Sequence, residues 1–372
     1  MTSLAPRPPD LPVRRTVPRS VAPGEAARAN ASSYTALAKR IRAEGLLERR
    51  RGRYAFRAGV LAVLLATLFV LLFTFGPHWS QLAVAVGFSV VFTQIAFLTH
   101  DSAHKQIFAS GPRGEAVSRV LANLAVGLSY GWWMNKHTRH HANPNTIGKD
   151  HDVMPGAVVF VPEDAASRSG LKRWLTAKQG FFFIPVLLFA GIDLHINAVK
   201  AVLGGEAIAH RKQETVLIGI RLLGFATLVI LLLGWPLGLA FLAVQLGSFG
   251  LYMGGTFALN HIGMPLIGRD QKVDYLRRQV LTSRNIRGGR PMDVLMGGLN
   301  LQIEHHLFPN MPSSSLRRAR VLVREYCADL GVPYTEHRFA GAWRLVLGYL
   351  HRVGIRHPDP FDCPAAAAFR TA

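Results

Sequence analysis

Histidines recur in three clusters, His100-Asp101-Ser102-Ala103-His104, His137-Thr138-Arg139-His140-His141 and Gln302-Ile303-Glu304-His305-His306. Residues three or four apart on a helix share a face, so His100 and His104 can grip one ion, as can His137 with His140 or His141. The adjacent pairs His140–His141 and His305–His306 diverge and can address two ions. These clusters supply seven imidazoles, whereas tetrahedral zinc takes four ligands, so two metals, or one metal with spare histidines, are implied. Imidazole suits Zn, Cu, Fe and Ni alike. Neither the HExxH of zinc proteases nor the Glu with Glu-x-x-His pattern of carboxylate-bridged di-iron bundles occurs. A histidine-rich, carboxylate-poor pair of irons is the best remaining reading.

Long apolar runs must position these clusters. The chain has 372 residues, 49% of them hydrophobic, with a mean hydropathy of +0.20. About 20 apolar residues cross the roughly 30 Å hydrocarbon layer. Runs over about 59–76, 82–99, 215–234 and 237–259 meet that length. Pro77-His78-Trp79 joins the first two and Trp235-Pro236 the last two, so each pair reads as a helical hairpin. Residues 117–133 and 180–199 are also apolar, the latter interrupted by Pro185, Asp193 and His195. Interfacial or re-entrant helices are expected there, because one further crossing would separate the histidine clusters.

Charge sets the orientation. Residues 1–58 hold 13 Lys and Arg against 4 acidic residues, and the hairpin turns hold no Lys or Arg. By the positive-inside rule both termini and all three clusters are cytoplasmic. The expectation is an all-α, multi-pass integral membrane protein with four transmembrane helices in two hairpins. Residues 1–30 read as a disordered basic tail, 31–335 as the membrane domain and 336–372 as a cytoplasmic extension. A basic helix from about Ser32 to Arg53 is expected along the membrane surface. Ser313–Ser315 reads as the cap of a helix over Leu316–Leu330 that ends at Gly331-Val332-Pro333.

The net charge of +21 comes without a nucleic-acid recognition module, so no nucleic-acid partner is expected. The surplus fits anionic lipid headgroups better. Cys327 and Cys363 form no disulfide framework, and as cytoplasmic thiols they stay reduced.

The clusters and their flanks, Gly131-Trp132-Trp133-Met134-Asn135-Lys136 before His137 and Gly298-Leu299-Asn300-Leu301 before Gln302, resemble the membrane fatty acid desaturases. The QxxHH form of the third cluster is similar to the front-end and related acyl-lipid or acyl-CoA branch. The likeness covers roughly residues 55–335. It implies four spans under a cytoplasmic helical cap, with two Fe ions that activate O2 as co-substrate and oxidative removal of two hydrogens from an acyl chain. It also implies a further ligand near the end of the fourth span, where His261 follows Asn260. Gln302 is expected to face the site without binding iron. No fused cytochrome b5 domain is visible and the HPGG haem motif is absent, so no bound haem is expected. Electrons are expected from a separate carrier such as a ferredoxin with its reductase. The substrate is expected to be a fatty acyl chain carried by CoA, acyl carrier protein or a lipid. No separate acid or base residue is required.

Metal-bound imidazoles usually donate their other N–H to a carboxylate, carbonyl or amide; Asp101, Glu304, Asn135 and Asn260 are the candidates by sequence proximity. His151 reads as a surface-loop residue, and His78 lies across the membrane from the clusters. His195, His210, His337, His351 and His357 read as structural or exposed. Trp132 and Trp133 suit either an acyl channel or the membrane interface. Arg221 is expected to snorkel to the surface. The rival activity is a lipid hydroxylase or ketolase on the same scaffold. A metal transporter fits poorly, since its ligands would lie within the spans.

Overall fold

The computed structural model describes residues 23–109 and 111–355. Most of the expected basic tail, along with Cys363 and His357, lies outside them. Helix α1 (Pro23–Ala43) begins inside the segment read as a tail. Leu37 and Ile41, one turn apart, are buried in a core with Leu276, Leu307 and Leu316.

Among the described residues, five helices are long and apolar enough to cross a membrane: α2 (Arg51–Thr74), α3 (Gln81–Ala103) and three later ones. Between them lie α4 (Pro112–Val120), which runs into a π-turn over Leu121–Val126, and α5 (Tyr130–Ala142). The remaining long helices are α6 (Gln179–Leu203), α7 (Arg211–Leu233, with its own π-turn at Ile220–Gly224) and α8 (Trp235–His261). Phe88, Phe92, Phe225 and Phe241 interlock edge to face at the centre of the apolar core they share. Four of the five helices coincide with the expected runs. The fifth, α6, is continuous through Pro185, Asp193 and His195, contrary to the interrupted segment read from the sequence.

Both ends of α6 meet elements on the histidine side. At its start the Gln179 amide donates to Val159 O and Leu350 O and accepts from Val159 N–H. Just past its end, Ala207 O accepts from Asn135 of α5. In between, α6 passes over α8 at a glycine crossing. A Cβ on Gly250 would lie 2.4 Å from Gly191 N and 2.6 Å from Leu187 O.

The two π-turns face each other within this core, leaving carbonyls that helical geometry does not satisfy. Arg221 Nε donates to Ala125 O at 2.9 Å, with its guanidinium over the rings of Phe92 and Phe225. His195 Nε2 lies 3.1 Å from Val126 O. Arg221 therefore does not snorkel; it is buried as a helix-end cap.

Later in the chain come α9 (Tyr275–Leu281), α10 (Gln302–Leu307), α11 (Leu316–Asp329) and α12 (Phe339–Gly354), with strands β1 (Asn285–Arg287) and β2 (Glu336–Arg338). The strands pair in parallel, Asn285 with Glu336 and Arg287 with Arg338. The described residues past 335 continue this packing. They supply β2 and α12, whose Val346 and Leu350 pack on Phe183 of α6 and Ala258 of α8.

The glycine crossing generates a paired test. Gly250→Val should cost about 1–3 kcal/mol through overpacking and lower the unfolding temperature in detergent. Gly247→Ala, whose new methyl would meet nothing closer than 3.7 Å, should leave that temperature unchanged.

Candidate metal centre

Helix ends deliver every histidine of the three clusters. His100 lies in the last turn of α3 and His104 just beyond it; His137, His140 and His141 share α5; His305 and His306 sit in α10. His261 is the last residue of α8. Their ring nitrogens gather into two groups, His100, His104, His137, His141 and His305 in one, and His140, His261 and His306 in the other. Within each group the nitrogens lie within 4.8 Å of one another. His141 and His306 stack across the boundary between the groups, with centroids 4.4 Å apart.

The donor set fits cations. His104 Nε2 and His137 Nε2 are 2.6 Å apart, and His141 Nε2 and His305 Nε2 are 3.2 Å apart. Two lone pairs meet in each case unless a proton or a cation lies between them. His100 Nε2 and His306 Nε2 are buried with no hydrogen-bond partner, and such orphaned groups cost about 1–3 kcal/mol each. Burial, followed by mutual repulsion, holds His104, His137, His141, His305 and His306 well below the usual histidine range. Neutral imidazole is the form that ligates metal. His140 goes the other way: burial alone would lower it, but Asp150 and Asp152 raise it.

Three of the opposite ring edges are secured by hydrogen bonds. His140 Nδ1 donates to Asp150 Oδ2 at 2.9 Å, His261 Nδ1 to Thr282 O at 3.0 Å and His306 Nδ1 to Gln279 Oε1 at 2.9 Å. Each bond fixes a tautomer that leaves the Nε2 lone pair facing the centre. His100 Nδ1 lies 3.4 Å from Asp101 Oδ1, and Asp101 Oδ2 in turn receives Arg57 at 3.3 Å. Gln302 Nε2 is 3.0 Å from His261 Nε2, and Asn260 holds that amide by donating to Gln302 Oε1. Glu304 serves elsewhere. Tyr334 and Asn285 donate to its carboxylate, and burial pushes its pKa up to about 7. Asn135 holds Ala207, as noted above.

Four supports were missed at the sequence level. Asp150 also accepts from Asn145 N–H at 2.8 Å, while Asn145, at φ +51°, donates to His261 O. Gln279 donates to His141 O, tying the second cluster to the third. Arg284 donates to Leu259 O and Ile262 O, closing the end of α8 around His261; burial lowers its pKa to about 10. Glu214 accepts from Ser129 Oγ at 2.6 Å and Gly131 N–H at 3.0 Å, and Ser129 caps Trp132 N–H, so the start of α5 is fixed from α7. Only Asp150 carried a signal, the Asp-His-Asp run that drew attention to His151 instead.

An apolar cavity of about 230 Å³ opens beside His100 and His137. Ala96 and Phe97 of α3, the π-turn's Ala122 and Val126, Leu194 of α6 and Met253 of α8 wall it. Trp132 and Trp133 both line it, and Trp133 stacks on His137 at 4.4 Å. A second cavity of about 310 Å³ reaches His261 and shares Ala190, Gly254, Phe257, Lys136 and Asp152 with the first. Lys136 and Asp152 pair at 2.7 Å between the two.

Comparison with known proteins agrees with this architecture. Residues 77–338 match the family described as fatty acid desaturase. A Delta(5) fatty acid desaturase of Caenorhabditis elegans is 30% identical, the alignment covering 84% of this chain and 71% of that protein. An acyl-lipid (9-3)-desaturase of Physcomitrium patens is 31% identical over 74% of this chain and 54% of its own length. A Delta(8)-fatty-acid desaturase of Helianthus annuus is 25% identical over 88% and 74%.

Asp150→Asn tests the support for His140. It should weaken metal retention about 10–100-fold in competition with a chelator while leaving helix content unchanged. Unaltered retention would confine Asp150 to holding the Asn145 turn.

Proposed function

The chain belongs to the fatty acid desaturase family, and we propose that its eight clustered histidines hold two irons that serve O2-dependent desaturation. The relatives are named for desaturation, which favours it over the hydroxylase or ketolase reading. One observation carries the metal assignment: opposed or orphaned ring nitrogens on six of the eight clustered imidazoles, beside an apolar cavity. His100, His104, His137, His141 and His305 would hold one ion, and His140, His261 and His306 the other, with Gln302 beside His261. Bound iron supplies the redox chemistry that draws two hydrogens from an unactivated acyl chain.

The protein's own residues do the rest. Ala96, Phe97, Val126 and Met253 hold the acyl chain and exclude water. Trp133 fixes the plane of His137. Position along the cavity decides which carbons lie against the histidines, so its depth sets the site of the new double bond. Asp150, Thr282 and Gln279 keep protons on Nδ1 and off the ligating edges.

For the membrane arrangement, the reading is four spans, α2, α3, α7 and α8, with both termini and the histidine side cytoplasmic. The chain meets the second histidine cluster in α5 and the last in α10, so an even number of crossings must lie between them. With α7 and α8 spanning, α6 must return to the side it left. Its contacts at Val159, Leu350 and Asn135, all on the histidine side, support that return. Electrons would come from a separate carrier such as a ferredoxin with its reductase. Such carriers are often acidic, and a chain of charge +21 would steer one to its basic face.

Expression in a host with a compatible reductase, followed by mass spectrometry of total fatty acids, should reveal a new double bond, and His140→Ala should abolish it. A hydroxylated product would overturn desaturation. Full activity in the His140→Ala protein would remove the second cluster from the metal shell.

A further inference from the structure

Away from the acyl cavity, a cleft of about 470 Å³ opens where α2 begins. Arg49, Arg50, Arg51, Arg53 and Arg318 line it together with Ser314 and Ser315. No carboxylate lines it. Among the described residues, Glu44 takes only Arg318, at 3.5 Å, and Arg49 reaches the carbonyls of Lys105 and Ala109. Arg50, Arg51 and Arg53 have no ion pair or hydrogen bond from their side chains there. Five guanidiniums around one hollow repel one another, and an anion there relieves that repulsion. The first turn of α2 adds to the pull. Its N-cap, Arg50, offers no side-chain acceptor, so the positive end of a 24-residue helix faces the same hollow.

Placement identifies the anion. Directly along α2 from the cleft, Phe56, Val60, Val63 and Leu64 are exposed, Phe56 by 74%. These form the lipid-facing side of a spanning helix, so the arginines stand at headgroup height. Guanidinium matches phosphate oxygens in paired hydrogen bonds. We propose that this cleft binds the phosphate headgroup of an anionic glycerophospholipid whose acyl chains lie along the exposed face of α2.

The site is distinct from the acyl cavity, which lies between α3, the π-turn, α6 and α8 and shares no residue with it. Yet it adjoins the frame of the histidines. One turn into α2, Tyr54 donates to Gln106 Oε1 at 2.6 Å and accepts from Ser313 N–H at 3.1 Å. Gln106 donates to Pro309 O. Gln106 follows His104 closely, and Pro309 follows His306. A lipid seated on the arginines thus pins α2 to the chain just beyond two of the histidine clusters, and it stabilises the folded protein without touching substrate.

The experiment is native mass spectrometry of the full chain after exchange in mixed micelles of phosphatidylcholine and phosphatidylglycerol. The wild-type protein should retain phosphatidylglycerol and unfold at a higher temperature than in phosphatidylcholine alone. The triple variant Arg50→Gln, Arg53→Gln, Arg318→Gln should lose retention about a hundredfold, at about fivefold per charge. If the triple variant does not fold, the single variants Arg50→Gln and Arg53→Gln should each show a graded loss. Arg269→Gln with Lys272→Gln, which removes two cations from another surface loop, should retain lipid like the wild type. Equal retention in the cleft variants, or an equal loss in the control, would overturn the site. Displacement by inorganic phosphate alone would overturn the lipid and leave a free-phosphate site.

Discussion

Eight imidazoles are packed ring against ring in a largely buried cluster, and five of them are held as neutral rings with no proton beyond the one the tautomer requires. Desolvation and mutual repulsion act in the same direction on them. A group this crowded is stable only when its inner edges meet cations and its outer edges meet acceptors. The outer acceptors come from every part of the chain: Asp150 after α5, Gln279 in α9, Thr282 beyond it. The tertiary fold around the centre can be understood as the scaffolding that brings these few oxygens to Nδ1 atoms.

That requirement explains why polar residues are concentrated at the ends of apolar helices. Arg284 closes α8 by taking its last carbonyls, Glu214 opens α5 by taking its first amides, and Asn145 joins the two. Backbone groups at helix ends have no partner of their own. Here the residues that satisfy them also fix the direction in which His261 and the histidines of α5 leave the helix.

The histidines and the apolar helices were legible in the sequence because both are local patterns: ligand spacing along a helix, and length of an apolar run. What was not legible depends on distant partners. Nothing near Arg284 or Gln279 in sequence announces a histidine. Arg221 looked like a snorkelling residue because a π-turn almost a hundred positions away, at Ala125, is invisible to hydropathy. Pro185 and Asp193 suggested a broken segment, yet α6 runs through them, packed along one side by α8 and α12. Tyr34 of α1, read as surface-bound, donates to Leu307 O beside the third cluster.

The crossing of α6 and α8 at Gly191 and Gly250 has a consequence for how this enzyme could change. One wall of the acyl cavity is anchored to a seam where backbone touches backbone, and no side chain there can be trimmed to make room. The opposite wall, the π-turn bearing Ala122 and Val126, is made of ordinary side chains on an irregular turn held by Arg221 and His195. Selection for longer or bulkier lipids would therefore find its freedom in that turn and leave the seam alone.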